Sequence, residues 1–174
     1  MREDVSTIVD LDALALRSGE AARLDLKLRP EPPTVAGEVL TLESDPVDAR
    51  IDVSRTSSGF ALRLRLESTL SGTCARCLGV AEREVRIDAR EIDQAAADDE
   101  ELRSPYVGDG LLDVGAWVRD ALTLNLPERL LCRPDCAGLC SVCGVSLNEV
   151  DPDEHVHERP PDPRFAKLRE LTDR

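Results

Sequence analysis

L-C-R-P-D-C-A-G-L-C-S-V-C-G-V-S-L-N, Leu131–Asn148, places Cys132, Cys136, Cys140 and Cys143 within a dozen residues. The other two cysteines, Cys74 and Cys77, stand upstream in C-A-R-C-L-G. All six therefore fall in two clusters, and no isolated cysteine is left over. Sulfurs two or three residues apart suit a tetrahedral soft-ligand site, because a tight turn lets both thiolates of a pair face one ion. Gly144, directly after Cys143, lets backbone amides turn back toward sulfur without a side-chain clash.

The upstream pair sits inside a β pattern. Leu24, Leu26 and Leu28 alternate with Arg23, Asp25, Lys27 and Arg29, as a half-buried strand requires. The run P-E-P-P at Pro30–Pro33 ends that strand, since proline donates nothing to a ladder. Val39–Leu42 is a second apolar run, and Ala49, Ile51 and Val53 alternate with Arg50, Asp52 and Ser54. After the turn at Ser57-Ser58-Gly59, Phe60, Leu62, Leu64 and Leu66 oppose Arg63, Arg65 and Glu67. Val85, Ile87 and Ala89 then alternate with Arg86, Asp88 and Arg90. These runs predict a mainly antiparallel sheet, a curled sheet or partial barrel, with Cys74 and Cys77 at the tip of the hairpin between the Phe60 and Val85 strands.

Downstream, Glu91–Asp113 carries many acids against one base, Arg103, and reads as a solvated loop. Asp113 can cap a helix whose Val114, Trp117, Val118, Ala121 and Leu122 form one apolar stripe, with Trp117 as a core anchor, and Pro127 stops it. Acids and prolines dominate from Glu149 to Pro163. Asp162-Pro163 then opens a short last helix bearing Phe165, Leu168 and Leu171. The expected organisation is a mainly β domain over 1–92, an acidic loop over 93–112, a helix with a cysteine-rich zinc-binding loop over 113–148, and an acidic linker with a short helix over 149–174. The fold class is α+β.

Composition narrows the function. Net charge is −13 and aromatic content 2%, which argue against broad attraction to nucleic acid or anionic membrane and against base-stacking surfaces. The first ten residues lack the apolar run of a signal peptide, and no segment has the length of a membrane span, so a cytoplasmic location with reduced thiols is expected. Clustered cysteines in that setting are metal ligands or redox groups. Redox exchange needs a C-x-x-C opening a helix after a strand, whereas Cys74 and Cys77 lie between two strand patterns. A nucleophile elbow, a phosphate-binding glycine loop and an H-E-x-x-H are all missing from the sequence, so a noncatalytic protein without a small-molecule substrate is expected.

The ion expected is structural zinc, but spacing does not choose its ligands. Cys77 and Cys132 are much farther apart than the roughly 15–20 residues between the pairs of a small zinc module. Cys74 and Cys77 can join Cys140 and Cys143, or Cys132 and Cys136, or the four downstream cysteines can close on one ion alone. Six sulfurs exceed one zinc's needs, so an unused pair or a partial second site is expected. His155 and His157 stand in D-P-D-E-H-V-H-E-R-P-P and read as solvent-exposed, although either could supply a late ligand.

The segments S-G-T-C-A-R-C-L, L-C-R-P-D-C-A-G-L-C-S-V-C-G-V-S-L-N and D-P-R-F-A-K-L-R-E-L together resemble the YceD family, the large ribosomal RNA subunit accumulation proteins, over roughly positions 60 to 172. The resemblance implies a noncatalytic role in ribosome assembly, with large-subunit precursor rRNA or a ribosomal protein as partner. It also favours Cys74, Cys77, Cys132 and Cys136 as one ligand set. Family members that carry extra cysteines after L-N have them where this chain has E-V-D-P-D-E-H-V-H; that departure leaves the ligation of Cys140 and Cys143 open and slightly favours His155 or His157 as a ligand.

Between Arg50 and Arg90, eight arginines face five acids, a local +3 within an acidic chain. Arg63 and Arg65 share a face by two-residue periodicity, as do Arg86 and Arg90, and such a face could contact phosphates or a partner. The alternative is that these arginines are simply the solvent side of an amphipathic sheet. The competing functions are a thiol redox protein using Cys74 and Cys77, and a zinc-stapled protein–protein adaptor.

Overall fold

A computed structural model describes residues 7–94, 102–151 and 154–157. In chain order its strands are β1 (Ile8–Asp10), β2 (Ala21–Leu28), β3 (Thr34–Val35), β4 (Glu38–Val39), β5 (Thr41–Leu42), β6 (Val47–Arg55), β7 (Phe60–Thr73), β8 (Val80–Asp93), β9 (Val107–Gly108) and β10 (Leu111–Asp113). Among the described residues, the helix α1 (Val114–Leu124) follows β10, and a 3-10 turn covers Asp12–Leu14. The large sheet runs β2-β6-β7 with β8 on the other side of β7, and β5 pairs with the far end of β7. Every ladder is antiparallel.

Alternation along the chain explains this sheet. Val47, Ala49, Ile51 and Val53 on β6, Phe60, Leu62, Leu64, Leu66 and Leu70 on β7, and Ala81, Val85 and Ile87 on β8 are all buried on one face. α1 covers part of that face with the stripe its sequence predicts: Val114, Trp117, Val118, Ala121 and Leu122 are buried. The Asp113 carboxylate accepts the Ala116 amide at 2.9 Å and so caps the helix. Trp117 is 2% exposed and stacks on Tyr106, with ring centroids 6.0 Å apart.

The large sheet stays open: among the described residues β2 pairs with β6 and β8 with β7, and no closed barrel forms. Two expectations change. The Val39–Leu42 run is not one strand, because Leu40 turns fully into the core between β4, which pairs with β3, and β5, which pairs with β7. The described part of the acidic stretch is built into structure. β8 continues to Asp93, whose buried carboxylate accepts the Ser104 amide, and β9 and β10 form a small sheet with β1. Leu112, at the centre of that sheet, is fully buried. The expected helix around Phe165 lies outside the described residues.

The opposite face of the large sheet is a lattice of ion pairs. Register sets Arg23, Asp52, Arg63 and Arg90 in one row across β2, β6, β7 and β8, and Asp25, Arg50, Arg65 and Asp88 in the next. Arg63 binds Asp88 with two hydrogen bonds of 2.6 and 2.7 Å, Arg65 binds Asp52, and Arg86 reaches Glu84 at 3.3 Å and Glu67 at 4.0 Å. The Arg23 bond and the Arg65 bond hold the Asp52 carboxyl below the usual range despite partial burial, and Arg63 does the same to Asp88.

Candidate metal centre

β7 and β8 stay paired up to Thr73 opposite Val80, so Cys74–Gly79 forms the hairpin tip. The Cys74 amide donates to Gly79 O at 2.8 Å, and the Leu78 amide returns to Cys74 O at 3.0 Å. The chain after α1 is brought to this tip by one backbone bond: the Ala75 amide donates to Leu130 O at 2.8 Å. Gly72 allows the approach, since a Cβ there would lie 2.5 Å from Leu40 Cδ2 and 3.1 Å from Leu130 Cδ2. Leu130 is buried, and Cys132 follows two residues later.

Cys74, Cys77, Cys132 and Cys136 consequently gather with their sulfurs all within 4.8 Å of one another. Cys74 Sγ lies 3.8 Å from Cys136 Sγ, and Cys77 Sγ lies 3.6 Å from Cys132 Sγ. None of the six cysteines is in a disulfide. Four sulfurs at about 2.3 Å from a central ion would be about 3.8 Å apart, and these two separations match that length. Cys74 and Cys136 are 0% and 1% exposed, while Cys77 is half-buried and Cys132 is open to solvent. Of the three ligand sets open from spacing, the structure assembles the one that joins the hairpin tip to the first downstream pair.

Polar groups tune these sulfurs. Burial alone would push the Cys74 thiol up, but hydrogen bonds from the Cys77, Cys132 and Arg76 amides outweigh it and bring it down to about 6. The Asn148 side chain donates to Cys136 Sγ at 3.4 Å and is the largest influence lowering that thiol. Cys132, beside the sulfurs of Cys136 and Cys77, is pushed up to about 12. Asn148 is held in turn by the Ala137 amide and Arg133 Nη2, each donating to its Oδ1 at 2.8 Å. Arg76 Nη1 ties the tip to the loop by donating to Cys136 O at 2.8 Å. Neither Asn148 nor Arg76 was singled out from the sequence. The final asparagine of V-S-L-N was the available signal, because an amide side chain beside a cysteine run suits a sulfur-orienting role.

A second group forms nearby. Cys140, Cys143, His155 and His157 also have ligand atoms within 4.8 Å of one another. The turn holding the two cysteines repeats the first: the Cys140 amide donates to Val145 O at 2.8 Å, the Gly144 amide to Cys140 O at 2.9 Å, and the Val142 amide to Cys140 Sγ at 3.4 Å. The Cys140 thiol is lowered to about 6 by the Cys143 amide, then by His155 and the Val142 amide. The histidines are half-buried rather than solvent-exposed as their acidic setting suggested.

Arg63, Arg65, Arg86 and Arg90 all lie on the outer face of the sheet, with Arg90 directly across from Arg63, and they do not join the cysteine site. Cys74 and Cys77 open a β hairpin and no helix, which removes the dipole that a thioredoxin-like thiol relies on.

The site thus consists of a β-hairpin tip met by a later C-x-x-x-C loop, with four sulfurs gathered between them. Residues 62–172 match the family described as Large ribosomal RNA subunit accumulation protein YceD, and the chain belongs to that family. An uncharacterized protein of Mycobacterium tuberculosis is 32% identical over 169 residues, covering 94% of this chain and 80% of its own length. An uncharacterized protein of Mycobacterium leprae is 29% identical over 177 residues, covering 98% of this chain and 80% of its own. No solved structure matches the chain significantly. Among the described residues, no helix is long and apolar enough to cross a membrane.

Proposed function

We propose that this protein is a noncatalytic assembly factor of the large ribosomal subunit, built around a structural zinc held by Cys74, Cys77, Cys132 and Cys136, and acting in the cytoplasm. Membership of a family described by accumulation of large-subunit ribosomal RNA supports the ribosomal role. The observation that carries the zinc reading is the pair of sulfur separations, 3.8 and 3.6 Å, between residues 62 and 55 positions apart. Zinc there would supply no reaction. Four thiolates close its coordination shell, and the ion would fix the post-helix loop to the sheet.

The partner is a basic ribosomal protein in preference to bare rRNA. The chain carries −13, and Arg63, Arg65 and Arg86 already face carboxylates, so little positive charge is left to release counterions from phosphates. The test is complementation in cells lacking the gene. Wild-type protein should restore the ratio of large- to small-subunit rRNA, and Cys74→Ser/Cys77→Ser should not. Normal rRNA in cells without the gene would overturn the ribosomal role, and full rescue by the double variant would overturn the need for zinc.

A further inference from the structure

His155 and His157 lie two residues apart just after a turn in which the Val156 amide donates to Glu154 O at 3.3 Å; both rings are half-buried, whereas Val156 is 78% exposed. The two Nε2 atoms come within 3.0 Å, with the rings nearly perpendicular at 86° and their centroids 4.6 Å apart. A hydrogen bond between two imidazoles would explain that contact alone. It would not explain why Cys143 Sγ stands 3.5 Å from His155 Nε2, or why the Cys140 ligand atom shares the same small sphere. Two sulfurs at about 2.3 Å and two nitrogens at about 2.0–2.1 Å from one ion would give sulfur–nitrogen edges near 3.6 Å and a nitrogen–nitrogen edge near 3.3 Å. The 3.5 and 3.0 Å separations have that ordering and nearly those lengths.

We infer that Cys140, Cys143, His155 and His157 form a second metal site, a closed two-cysteine, two-histidine centre for one zinc-like divalent cation, filled independently of the four-cysteine site. Its job differs from that of the first. All four ligands come from one short stretch beyond the sheet, so the ion pins residues 154–157 onto the Cys140–Gly144 turn and leaves the β framework alone. The backbone of that stretch is prepared for it: Leu139 and Ser146 form a β bridge across the turn, and the Glu154 and His155 amides both donate to Asp151 O, at 3.2 and 3.0 Å. The zinc of the proposed function shares no ligand with this site, so either can fail without the other.

The test is cobalt(II) titration of the full chain, followed by native mass spectrometry and absorption spectroscopy. Wild-type protein should bind two cobalt ions. His155→Ala/His157→Ala should bind one, with unchanged far-ultraviolet circular dichroism. Because six bound thiolates fall to four, its thiolate-to-cobalt charge-transfer absorption should drop by about a third. Cys140→Ser/Cys143→Ser should behave alike, which provides a second route should either variant fold poorly. A single cobalt in the wild type that disappears in His155→Ala/His157→Ala would uphold this site and overturn the four-cysteine one. Two ions, or a single ion, retained by His155→Ala/His157→Ala would overturn the site inferred here.

Discussion

Leu78 and Gly144 occupy the same place in two turns: each follows the second cysteine of a C-x-x-C, each donates its amide to the first cysteine's carbonyl, at 3.0 and 2.9 Å, and each has a positive φ, 59° and 75°. A leucine in this left-handed region is strained by about 1–2 kcal/mol, whereas glycine enters it freely. Leu78 is 67% exposed, so its side chain contributes little packing in return.

Leu78→Gly should therefore stabilise the metal-loaded protein by about 0.5–1 kcal/mol, after allowing for the extra freedom of glycine in the unfolded chain. Urea unfolding measures this, with Leu78→Ala as the control that removes the side chain but keeps the strain. A gain of the same size in Leu78→Ala would show that the exposed side chain, and not the backbone, was responsible.

Much of this arrangement was legible in the sequence. β2, β6, β7 and β8 follow from strict alternation such as Phe60, Leu62, Leu64 and Leu66, and α1 follows from a capped stripe of 3.6-residue period. β1, β9 and β10 were not legible, because strands of two or three residues are too short to show a period. The ligand set was only partly legible. Cysteine spacing names the pairs but not which pair meets which, and that choice rests on tertiary contacts at Leu130 and Gly72. The ion-pair lattice was equally hidden: counting charges between Arg50 and Arg90 gives a net +3, but it takes strand register to bring Asp25 to Arg50 and Asp88 to Arg63.

In the proposed zinc site, Asn148 would orient one ligand without being one. Removing its amide with Asn148→Leu deletes the donor to Cys136 Sγ and leaves the Ala137 amide without its partner. Loss of such a supporting bond commonly lowers metal affinity about 10–100-fold, and we expect a fall at the low end of that range. Competition with a chromogenic chelator reads it directly. An unchanged affinity would mean that Asn148 serves only the loop.

Metal binding at the four-cysteine site should release protons. With the Cys74 thiol near 6, that sulfur is a thiolate at neutral pH; Cys136 is lowered by the Asn148 side chain, while Cys132, near 12, still holds its proton. The ion requires a thiolate there, so binding expels that proton and tightens as pH rises. The gain is about tenfold per unit for each proton released, across the window from about 6 to about 12. Titration between neutral and mildly alkaline pH should give a log Kd slope of −1 or steeper. A flat profile would show Cys132 already ionised in the metal-free protein.

The outer face makes a separate prediction. Arg63→Glu/Arg65→Glu sets new carboxylates beside Asp88 and Asp52, removing the Arg63 partner of Asp88 and the Arg65 partner of Asp52, which keeps Arg23. The sheet should lose about 1 kcal/mol or less for each pair, because all four groups are partly or largely exposed. RNA crosslinking in cells should change little if a basic protein is the direct partner. Abolished crosslinking in a folded double variant would instead make this face the RNA contact.

The most direct test of the zinc-stapled fold is elemental analysis with native mass spectrometry of protein purified without added metal, comparing wild type with Cys74→Ser/Cys77→Ser. Zinc bound by the wild type, with the double variant losing one zinc per chain together with its cooperative unfolding transition, is the predicted result, because those two residues supply half of the shell that joins the hairpin tip to the chain beyond α1. Full zinc content and an unchanged transition in the variant would contradict it, as would wild-type protein with no metal and six freely titratable thiols.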